Sequence, residues 1–128
     1  MRTADVSGHQ RKVVRSAVRP ARGVLGDQGI PLRDGQTLPF VVERGWNAPA
    51  GYYPEGWYLV IPDSGEVLYA SAQNVKLVWG LAAVTDLSDE VTDPIPLTPG
   101  KYLIVFSLGG IKGGELEVEA FDASEAAA

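Results

Sequence analysis

Three stretches decide the fold: Arg33-Asp34-Gly35-Gln36-Thr37-Leu38-Pro39-Phe40-Val41-Val42-Glu43-Arg44-Gly45-Trp46, then Gly56-Trp57-Tyr58-Leu59-Val60, then Asp63-Ser64-Gly65-Glu66-Val67-Leu68-Tyr69-Ala70-Ser71-Ala72-Gln73-Asn74-Val75-Lys76-Leu77. Apolar residues alternate in them more often than they follow helical spacing, and glycine or proline punctuates each run. Pro62-Asp63-Ser64-Gly65 has the composition of a tight hairpin turn, with Pro setting φ at the first corner and Gly closing it. Working outward, strands are expected near 12–18, 38–44, 57–61, 66–71, 75–84, 101–108 and 115–121. Thr98-Pro99-Gly100-Lys101 launches one strand, and residues 109–114, four of them glycine, join the last two. Asp86 to Asp93 is the one place where a helical turn is expected, stopped by Pro94. The class is all-β: a small barrel or β-sandwich with a C-terminal hairpin and an extended N-terminal arm.

The order of these pieces resembles an SH3-like barrel over residues 12–79: a charged Asp-Gly turn, an apolar strand, a loop, a Gly-Trp-Tyr strand, a tight turn, a strand, and a short Ser-Ala-Gln-Asn-Val segment. The resemblance implies a barrel. Of the aromatic groove with which peptide-binding members hold proline-rich ligands, only Trp57 and Tyr52 or Tyr53 remain, because the first strand carries no aromatic and the short segment has Ala72 and Asn74. The expected organisation is a flexible arm over 1–11, one all-β domain over 12–121 and a tail over 122–128. Within the domain, 12–84 is barrel-like and 94–121 a closing hairpin, with the proline-rich run 94–99 as a stiff boundary.

Length and composition agree with one domain: 128 residues, 45% hydrophobic, enough for a packed core. Without cysteine, disulfides, thiolate metal sites and cysteine nucleophiles are excluded. The single histidine, His9, lies in a polar N-terminal stretch beside Asp5 and Ser7, too close in sequence and in too loose a context to be oriented as a triad. No apolar run approaches the ~18 residues of a membrane span, and the first residues lack a secretory apolar region. Synthesis in the cytoplasm is the expected location.

Charge is unevenly distributed. Residues 1–33 carry seven basic groups against two acids, and the remainder four against fourteen. Arg2, Arg11, Lys12, Arg15, Arg19 and Arg22 form the candidate partner-binding arm. Nucleic-acid binding by this arm is the sharper reading, but an acidic body repels phosphate and no aromatic interleaves the basic run, so nucleic acid is expected not to be the partner. Trp46, Tyr52, Tyr53 and Trp57 form a candidate aromatic loop. Trp57 and Trp79 suit barrel filling, whereas Tyr52 and Tyr53 are freer to serve binding. Glu115, Glu117 and Glu119 alternate along one strand as an acidic face, a solvated surface or a receiver for the arm. Asp86, Asp89, Glu90 and Asp93 lack the ligand alternation and central glycine of a calcium loop.

No catalytic, cofactor-binding or metal-binding residues are therefore assigned, and no enzyme is expected. The leading expectation is a non-catalytic structural protein that docks onto a larger assembly through its arm and aromatic loop. In style, all-β with an arm, an acidic body and no cysteine, the chain is similar to tailed-phage virion proteins. That resemblance implies a capsid decoration, head–tail or tail subunit, present in several copies on capsid, tail or scaffold partners. The alternative is a bacterial SH3-like adaptor holding a peptide or cell-wall glycan.

Overall fold

The computed structural model describes residues 10–22 and 28–123. They form an all-β molecule of ten strands: β1 (Lys12–Pro20), β2 (Ile30–Arg33), β3 (Gln36–Thr37), β4 (Phe40–Asn47), β5 (Gly51–Val60), β6 (Val67–Ala70), β7 (Asn74–Val78), β8 (Thr85–Val91), β9 (Gly100–Leu108) and β10 (Ile111–Asp122). A three-stranded sheet runs β1-β4-β8, and a larger curled sheet runs β3-β2-β10-β9-β5-β6, with β7 also paired to β5. All pairings are antiparallel except β10 with β2. The hairpin β9–β10 lies in the middle of the larger sheet.

The alternation in β4 explains the sandwich. Phe40, Val42, Arg44 and Trp46 point inward, and each is buried. From the facing sheet come Trp57, Leu59, Ile104, Phe106 and Leu108, all at 0% exposure. Phe40 meets Trp57 edge-on, with ring centroids 6.5 Å apart. On one side the sheets nearly close, because β1 packs beside β10: a Cβ on Gly114 would lie 3.2 Å from Val13. On the other side a gap separates β6 and β7 from β8.

The structure revises parts of this reading. The stretch from Asp86 is strand β8, paired with β4 from Thr85–Trp46 to Val91–Phe40. Its inward position Asp89 is polar, which hid the two-residue period. The proline-rich run 94–99 is stitched to β3: Thr37 N–H donates to the Ile95 carbonyl, Leu97 N–H to the Gly35 carbonyl, and Ile95 and Leu97 are buried. The strand expected near 12–18 is β1, so Lys12, Arg15 and Arg19 of the basic segment are strand residues, seated in the sandwich by Val13 and Val18 on either side of a bulge. Residues 1–9, including Arg2 and His9, lie outside the described residues, as does the tail from 124 onward.

Candidate functional site

Between the sheets sits a cross-sheet polar network. Arg44 of β4 donates through Nε and NH2 to both carboxylate oxygens of Glu55 on β5, at 2.8 and 2.6 Å, with both side chains essentially inaccessible. Glu55 also accepts from the Trp46 indole at 2.9 Å. Asp89 of β8 accepts from the Trp57 indole at 2.9 Å and pairs with Arg44 NH1 at 3.2 Å. Burial alone would push the Arg44 guanidinium toward losing its proton, but Glu55 and Asp89 outweigh this and hold it above its usual value. Asp89 reaches a groove of about 330 Å³ between β8 and β6–β7, also lined by Tyr69, Ser71 and Lys76. Its atoms satisfy one another, so the network locks the two sheets in register.

A different constellation forms where the chain turns at one end of the sandwich. The start of β1, the β4–β5 turn, the β7–β8 connection and the β9–β10 hairpin meet there. Lys12 pairs with Asn47, whose side-chain amide donates to the Leu81 carbonyl at 3.0 Å. Arg11 donates to the Leu108 carbonyl at 3.1 Å and lies 4.8 Å above the Tyr53 ring, a cation–π contact. Arg15 spans the sheet to Asp86 in a bidentate pair at 3.0 and 2.6 Å. That hydrogen-bonded pair holds the Asp86 carboxyl below the usual range and raises Arg15. Lys112 pairs with Glu115 at 2.8 Å. Beside these cations stand two exposed aromatics, Tyr52 at 74% and Trp79 at 72% exposure.

The charge is thus polarised along the strands. The turn end carries Arg11, Lys12, Arg15 and Lys112 against Asp86 and Glu115. At the opposite end Arg22, Arg33 and Lys101 are outnumbered by Asp34, Asp63, Glu66, Glu90, Asp93, Glu119 and Asp122. Nine residues of β1 at about 3.3 Å each put about 30 Å between the two groups. That is nearly four Debye lengths, each about 8 Å, in physiological salt.

The expected site residues separate accordingly. Arg11, Lys12 and Arg15 reach the turn end. Arg19, facing Glu43 at 3.3 Å, lies further down β1, and exposed Arg22 lies just past its end. The aromatic loop dissolves: Trp46 and Trp57 are strand residues at 0% exposure with their indoles hydrogen-bonded to carboxylates, so neither can meet a partner. Tyr53 is half-buried, its hydroxyl donating to the Pro49 carbonyl, and Tyr52 alone of the four is freely displayed. Trp79, read as core, is instead exposed, because it continues the outward alternation of Val75 and Leu77. Glu115, Glu117 and Glu119 face solvent on β10. Lys112 was missed, and its place two residues past a two-residue turn is the signal that could have found it. Among the described residues no cluster of three or more His, Cys, Asp or Glu could hold a metal ion.

No family model and no curated protein matches the sequence. Among solved structures, the chain is similar to Pseudomonas fluorescens alkylpurine DNA glycosylase AlkC bound to DNA containing an abasic site analog, with a TM-score of 0.60 over 94% of this chain at 14% identity. The chain spans about a third of that protein, 33% of its length. The fold therefore occurs as part of an enzyme. This likeness overturns the expectation of an assembly-docking virion subunit, and with it the peptide- or glycan-binding adaptor, because a solved protein sharing the fold is a DNA-bound glycosylase. It equally overturns the exclusion of nucleic acid. The physical reason is that net charge averages over a molecule whose cations and carboxylates occupy opposite ends.

Proposed function

We propose that this chain is a DNA-contacting β-domain serving an enzyme that acts on DNA, and that its turn end faces the phosphate backbone. The observation that carries the reading is the polarity of charge: four cations gather at one end of a molecule that is acidic overall. The fold shared with a DNA-bound glycosylase supports it. Lys12 presents its ammonium to solvent, while Arg11 and Arg15 are held in place by Tyr53, Leu108 and Asp86. Such groups position a domain on phosphate without reading sequence. The bond-breaking chemistry belongs to another part of the enzyme, and this domain supplies contact and orientation.

The test is fluorescence anisotropy with a labelled 20-base-pair duplex across a salt series. Four phosphate contacts give a slope of log K against log salt of about −3.6. Lys12→Glu together with Lys112→Glu should lower the slope's magnitude by about two and weaken binding, whereas Lys101→Glu at the far end should change neither. No binding at low salt, or equal losses from both ends, contradicts the reading.

A further inference from the structure

We propose that Tyr52 and Trp79 form a stacking platform for unpaired bases, so that the preferred ligand of the turn end is single-stranded or locally unpaired DNA rather than intact duplex. This rests on the DNA-contacting reading above and narrows it to a substrate class. The chain has three tryptophans, and it buries two of them completely with their indole nitrogens bonded to Glu55 and Asp89. The third is displayed, and its display is built in. Trp79 N–H donates to Thr85 Oγ1 at 3.0 Å, Asn47 holds the Leu81 carbonyl, and Gly80, at φ 131°, turns the backbone against Ala50.

Tyr52 is the register partner of Leu77. Continuing the alternation of β7 places Trp79 diagonally from Tyr52, at a spacing of about 7–8 Å. Both rings are exposed on the same face of the sheet, so an unpaired base can stack on either. A paired base inside a duplex offers no such face, whereas an unpaired one does, and stacking of this kind tolerates any base. One flanking charge is close by: Lys12 pairs with Asn47, whose side chain holds the Leu81 carbonyl two residues beyond Trp79, while Arg11 lies over Tyr53 on the other face of β5.

The experiment compares a 15-nucleotide oligothymidylate, an intact duplex, and the same duplex with one abasic position, using intrinsic fluorescence and anisotropy. The single strand and the abasic duplex should bind tighter than intact duplex and quench tryptophan emission. Trp79→Phe should retain affinity and lose the quench, because Trp46 and Trp57 are shielded. Trp79→Ala and Tyr52→Ala should each weaken single-strand binding roughly 5- to 150-fold, the range of one stacking contact. Equal affinity for all three ligands with Trp79→Ala unchanged overturns the platform while leaving DNA contact standing. Absence of binding to any of them overturns both.

Discussion

Glu55 accepts hydrogen bonds from Arg44 twice and from Trp46 once inside the sandwich, so a single atom change there reaches both sheets. Glu55→Gln leaves the Arg44 charge without its main partner and should cost about 3–5 kcal/mol in denaturant unfolding. Replacing both, Arg44→Met with Glu55→Leu, should recover part of that loss, the remainder being the Trp46 N–H left unpaired at about 1–3 kcal/mol. Asp86 gives a pH signature at the surface. Its folded carboxyl is held below the usual 3.8 by Arg15, so its contribution is present above that value and disappears as pH falls through the depressed one. The stability difference between the wild type and Asp86→Asn should therefore shrink below about pH 4. Residue roles were legible where local pattern sufficed, as for inward Phe40 and Val42. They were legible only in part for the tryptophans: Trp57, read as barrel filling, is buried, but all three carry the same bulk and only tertiary placement separates buried Trp46 from exposed Trp79.

At the level of elements, turn chemistry was the most readable signal. Gly65, at φ 72°, closes the β5–β6 turn that Pro62-Asp63-Ser64-Gly65 announces. The glycine-rich joint before β10 is tighter than its composition suggests. Leu108 pairs directly with Ile111, leaving only Gly109 and Gly110 in the turn at φ 60° and 80°. The remaining glycines belong to β10: Gly113 lies at a bulge because the Trp46 ring occupies the space a side chain would need. Gly109→Ala with Gly110→Ala forces two left-handed alanines and should cost about 1–2 kcal/mol per position, measurable as a lower thermal midpoint. Strands β2, β3 and β8 escaped the sequence for a common reason. β2 and β3 are four and two residues long, and β8 spends an inward position on Asp89, so none shows a clean hydrophobic alternation.

On the scale of the whole molecule, the all-β class was readable from periodicity, whereas the partner was not, because total charge conceals its arrangement. The chain carries −5 overall, yet β1 runs from a cationic end to an acidic one, and packing of β1 beside β10 brings Lys112 to the same end as Arg11 and Lys12 from a hundred residues away. Only the folded topology makes that juxtaposition. A field of this shape should also orient the domain as it approaches DNA, so the association rate should fall steeply with salt while dissociation changes less. The central claim is that the turn end is the DNA-facing surface. Its most direct test is a two-dimensional amide NMR titration with a short oligonucleotide. The account predicts shifts confined to residues near Lys12, Tyr52, Trp79 and Lys112, with Asp34, Asp63 and Glu119 unmoved. Shifts centred on the acidic end, or none anywhere at millimolar oligonucleotide, would contradict it.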